Sequence, residues 1–167
     1  MRVILALFLL AIHCAAQVPV SSFTKAIKGT FLPAADDHAI IYLNGQQVHK
    51  VDYGSKRSPE MELKVGDRVT VHLKNDRDEK GFLLVFVSSD NATLVSFRRT
   101  DYKIVPELDA TDFTPEQFKR WNKTAKSSPR PDMNFPFKHY SDWVWGDTSK
   151  CILSAVVTPQ MIAAKPN

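Results

Sequence analysis

The chain has 167 residues, a formal net charge of +4 and 44% hydrophobic residues. Its 22 basic and 18 acidic residues are interleaved, as in Lys74-Asn75-Asp76-Arg77-Asp78-Glu79-Lys80, so no phosphate-binding face stands out and nucleic acid is excluded as the expected partner. Past the N-terminus no segment is apolar enough to span a membrane.

Arg2, the unbroken apolar run 3–12 and the small residues Cys14-Ala15-Ala16 ahead of Gln17 read as a secretory signal peptide, residues 1–16. The run is about half of the roughly 20 residues a spanning helix needs. The expected product is exported and extracellular. It carries a short N-terminal segment (17–24), one domain (25–158) and a C-terminal tail (159–167) without a hydrophobic end or a retrieval signal. Loss of residues 1–16 leaves 151 residues and a charge of +3, a domain large enough to bury a core without staples. Cys14 leaves with the signal. Cys151 is then the one remaining cysteine, and no intrachain disulfide is expected. It opens the apolar run 152–157 and reads as buried in a strand; the alternative is an intermolecular bond, giving a disulfide-linked dimer.

The period along the chain is mostly two. Residues 26–31 alternate, with Ile27 and Phe31 facing in. After Asp36-Asp37, residues 38–43 form a strand apolar on both faces, with Ala39, Ile41 and Leu43 on one and Ile40 and Tyr42 on the other. Asn44-Gly45 tolerates positive φ and folds the chain back into 46–51 as a hairpin. A short strand at 60–63 turns through Val65-Gly66-Asp67 into Arg68–Lys74, whose Val69, Val71 and Leu73 face in and whose His72 faces out. The run 82–87 reads as an interior strand, 88–91 as a turn and 93–97 as the return. Thr114, Pro115 and Gln117 place a capping box before a helix of about two turns. That helix sits within a long connection, 106–141, whose Phe113, Phe118, Trp121, Phe135, Phe137 and Tyr140 favour an irregular strap wrapped on the core. The predicted fold is all-β: a jelly-roll-like antiparallel β-sandwich of seven or eight short strands, with one short helix in a long C-terminal connection.

The ordered set Ala35-Asp36-Asp37, Tyr42-Leu43-Asn44-Gly45, Leu63-Lys64-Val65-Gly66-Asp67, Gly81-Phe82-Leu83, Thr100-Asp101-Tyr102-Lys103 and Trp143-Val144-Trp145 resembles the galactose-binding-domain-like jelly rolls found beside glycosidase catalytic domains and in secreted lectin-like modules. The likeness spans about residues 25–158. The insert that carries the helix departs from the usual pattern. A narrower resemblance is to lectins of the flocculin and protective-antigen type, which also carry an Asp-Asp before a strand. In those lectins the two carboxylates hold a calcium ion that binds sugar hydroxyls. The resemblance implies calcium at Asp36 and Asp37.

Read from the residues alone, Asp36 and Asp37 are turn caps that accept backbone N–H groups, the reading the residues favour, or the start of that calcium site. Trp143 and Trp145 fall on one face of a strand, where they pack in the core or stack on a sugar ring; the intervening Val144 favours packing. The histidines at 38, 49, 72 and 139 have no metal-ligand spacing. The chain shows no nucleophile motif, zinc-protease motif or P-loop, and no enzyme is expected. Asn91-Ala92-Thr93 and Asn122-Lys123-Thr124 are N-glycosylation sequons, with Asn91 favoured by its hairpin turn. The expected function is a secreted, non-catalytic lectin-like module binding carbohydrate or a glycosylated surface. The alternative is a structural protein of an extracellular or skeletal, shell-type matrix, with contacts made by Cys151 or the aromatic strap. No cofactor beyond calcium is expected.

Overall fold

A computed structural model describes residues 25–77, 79–129 and 138–164. The signal-peptide reading, the 17–24 segment, Phe135 and Phe137 lie outside the described residues. The fold is all-β: one antiparallel sheet of 11 strands that curls strongly on itself. In chain order the strands are β1 (Ile27–Leu43), β2 (Gln46–Ser55), β3 (Met61–Leu63), β4 (Arg68–Lys74), β5 (Gly81–Ser88), β6 (Thr93–Ser96), β7 (Lys103–Val105), β8 (Lys126–Ser127), β9 (Val144–Trp145), β10 (Lys150–Val156) and β11 (Ile162–Ala164), with helix α1 (Pro115–Arg120) between β7 and β8. The main path runs β11-β6-β5-β1-β4-β10-β7.

β1 is the spine. Its first part, Gly29–Asp36, pairs with β5, and its second, His38–Leu43, lies between β2 and β4. The alternating segments at 26–31 and 38–43, which read as two strands in the sequence, are therefore one strand of 17 residues. Pro33 does not break it. The N–H and C=O of Phe31 both bond to Ser58, and Pro33, two residues on, faces the same side, where no strand pairs with it. Its missing donor costs no ladder bond there. The β1–β2 register shifts between Ala35 and His38, and there the strand passes from one part of the curled sheet to the other. Asp36 and Asp37 occupy that shift, joined by a cis peptide.

The hairpin turn is built as the sequence implies: Asn44 and Gly45 take φ of 50° and 84°, and Leu43 pairs with Gln46. β4 has the expected bounds, and Val69, Val71 and Leu73 are buried in the main core with Phe31, Ile41 and Leu153. β5 is buried on both faces. Phe82, Leu84 and Phe86 enter the main core; Leu83, Val85 and Val87 join Leu94 in a second cluster, against which Trp143 packs.

Part of the long connection, residues 110–114, lies on the sheet, whereas Tyr140, expected to pack on the core, is 49% exposed. On the outer face of β4 and β10, His72 Nε2 lies 2.7 Å from the Ala110 carbonyl oxygen. Arg68 donates two bonds to Asp112, at 2.6 and 2.7 Å. Thr114 accepts from Gln117 N–H and caps α1 as predicted. Phe113 then packs with Phe118 and Trp121, ring centroids 5.1 and 5.3 Å away. Thr70 and Ser154, outward residues of β4 and β10, are buried and bonded to each other at 3.0 Å. The chain past Val157 does not leave the sheet: Met161 is buried in the main core, and β11 pairs with β6. The segment read as a tail from residue 159 thus carries a strand.

Candidate functional site

The shift in β1 is where chemistry collects. Asp36 and Asp37 are 6% and 4% exposed, so both carboxyls are held out of water. Burial, with the Asp37 carboxyl and Glu79 nearby, pushes the Asp36 carboxyl above its ordinary value, against an opposing pull from Arg77.

The partner loop lies between β4 and β5. Asp37 Oδ2 accepts the Asp76 backbone N–H at 2.8 Å. Arg77 Nε lies 3.5 Å from Asp37 Oδ1, but its side chain is largely exposed, so this ion pair neutralises little of the buried charge. Asn75, one residue before Asp76, is 6% exposed. Its amide donates to the Arg77 carbonyl, and its Oδ1 is buried with no hydrogen-bond partner among the described residues. A buried carbonyl oxygen without a donor is costly, of order 1–3 kcal/mol. Asp37 does cap a backbone N–H as the turn reading implied, but the donor comes from 39 residues further on.

Among the described residues, no group of three His, Cys, Asp or Glu side chains could hold a metal ion. Calcium does not require one: it takes roughly six to eight oxygens, including amide and backbone carbonyls and water. Two buried carboxyls and, next in sequence to the Asp76 N–H that one of them accepts, a buried amide oxygen without a partner among the described residues suit that donor set.

The other residues singled out in the sequence lie elsewhere. Trp145 is buried in the main core with Val144, and its Nε1–H donates to the Thr148 carbonyl at 2.8 Å. No ring face of Trp145 is left for a sugar. Trp143 is half-buried on the second cluster, so the two tryptophans do not share a surface. Asn91, at φ 59°, and Asn122 are both exposed. Cys151 is buried in β10, and burial pushes its thiol up to about 11. Residues 74–80 have the composition of a solvated mixed-charge loop, which hides Asn75 in the sequence. The one signal there was an uncharged Asn directly after an alternating strand.

Comparison of the chain with protein-family models, with curated proteins and with solved structures finds no match.

Proposed function

We propose that the chain is a secreted, non-catalytic lectin-like module that binds carbohydrate through a calcium ion held at the Asp36-Asp37 shift of β1. The observation that carries this reading is the buried pair Asp36 and Asp37, bonded through Asp37 to the backbone N–H of Asp76, next in sequence to Asn75, whose buried Oδ1 has no hydrogen-bond partner among the described residues. Asp36, Asp37 and Asn75 would hold the ion, with backbone carbonyls and water completing the shell. Bound calcium supplies positions where two hydroxyls of a sugar can replace two waters. The carboxyls supply the charge that the ion balances, and the Asp37–Asp76 bond holds β1 and the loop together around it. The resemblance to lectins of the flocculin and protective-antigen type favours the same assignment. Export of the chain follows from the signal-peptide reading, and it makes Asn91 and Asn122 glycan carriers, since both are exposed.

The test is a glycan array probed with the secreted protein, in calcium and in chelator, alongside Asp37→Asn. The reading expects glycan signals present in calcium and lost both in chelator and in the variant. Signals indifferent to calcium, or no glycan bound at all, refute it.

A further inference from the structure

On the outer face of the sheet, beyond the strap, two cross-strand rows lie side by side. Lys50, Ile40, His72 and Ile152 stand opposite one another across β2, β1, β4 and β10. Asp52, His38, Lys74 and Lys150 form the next row. Over these rows runs a groove of about 390 Å³, with Leu108 of the strap on its wall. Leu108 is 74% exposed, a large aliphatic side chain held over an aliphatic floor.

The charges of the second row are unevenly matched. Lys50 pairs with Asp52 at 3.0 Å and Lys74 with Asp76 at 2.8 Å. His38 lies between the same two carboxylates, at 2.8 and 3.1 Å. Lys150 has no ion pair among the described residues, although it stands directly opposite Lys74. Like charges opposite each other in an antiparallel pair are destabilising, and an anion between them reverses the sign. Among the described residues, no aromatic side chain apart from the imidazoles lines the groove. A sugar ring finds no stacking platform there, whereas an alkyl chain finds isoleucine and leucine.

We propose that this groove binds an aliphatic monocarboxylate. Its carboxylate lies between Lys74 and Lys150, and its chain lies along Ile40, Ile152 and Leu108. The site uses none of Asp36, Asp37 and Asn75, and it needs no calcium.

The test is calorimetric titration of the full chain with octanoate in chelator, against octanol, acetate and glucuronate. Octanoate should bind one to one. Octanol and acetate, each lacking one half of the recognition, should bind at least roughly tenfold more weakly. Lys150→Gln should weaken octanoate about tenfold, and Leu108→Ser should weaken it several-fold. Both positions are exposed, so both variants should melt with the wild type. Octanoate binding unchanged in both variants, no octanoate binding at millimolar concentration, or glucuronate bound as tightly as octanoate would each overturn the proposal. Because the titration is run without calcium, its outcome is independent of the lectin reading.

Discussion

Asp37 Oδ2 and the backbone N–H of Asp76 meet at 2.8 Å, across 39 residues of chain. This bond joins the shift in β1 to the loop that leaves β4. It gives Asp37 a structural role that can be separated from any role in binding a cation. Asp37→Ala should destabilise the chelator-treated protein by about 1–3 kcal/mol, because a backbone donor beside a buried group loses its acceptor. Asp37→Asn keeps an acceptor oxygen and should cost clearly less. Urea unfolding of the two variants in chelator measures both, and equal losses would show that charge rather than acceptance matters.

Leu73 is 3% exposed in the main core. Leu73→Ala should cost about 2–5 kcal/mol by chemical denaturation. A loss below about 0.5 kcal/mol is what an exposed position gives, and it would place this face of β4 in solvent.

Gly29 sits where β1 crosses β5. A Cβ there would overlap the carbonyl oxygen of Val87, a backbone atom that cannot swing aside. Gly29→Ala should therefore destabilise by about 1–3 kcal/mol, the opposite of what its gain in strand propensity suggests. An unchanged denaturation midpoint would contradict the β1–β5 register.

The Arg68–Asp112 pair anchors the strap and carries a pH signature. The hydrogen bond from Arg68 holds the Asp112 carboxyl below its ordinary value. A depressed carboxyl stabilises the fold above its unfolded value of about 3.9, and that contribution is lost as pH falls through the folded value. Asp112→Asn should thus cost about 1 kcal/mol at pH 7, since both partners are about 30% exposed. The gap to wild type should close in acid below the folded value. Urea midpoints across that range give the result, and a gap that stays constant would remove the pair from the account.

The fold was legible where local chemistry and burial agreed. The alternation of β4, the Asn44-Gly45 turn and the Thr114 capping box each fix local structure with neighbouring residues, and each appears at the expected place. The single long β1 was not legible. Pro33 and the acidic pair are local signs of a break, and only the pairing with β5, about 50 residues later, shows why the strand continues. β11 was missed for the same reason, because its three residues acquire a strand partner only from β6. At the candidate site the sequence pointed to Asp36 and Asp37 but not to Asn75. Burial of a polar side chain depends on what packs over it, and residues 74–80 have the composition of an exposed loop.

Calcium bound at Asp36 and Asp37 is the claim on which the functional reading rests, and a melting curve tests it most directly. An ion that binds only the folded chain should stabilise it by about 2.7 kcal/mol when present at about 100 times its dissociation constant. For a domain of this size that is a rise of about 5–10 °C over the protein in chelator. The account predicts this rise in the wild-type chain and its loss in both Asp37→Asn and Asn75→Ala. A wild-type melting temperature that is the same in calcium and in chelator, or a rise that survives in both variants, would contradict it.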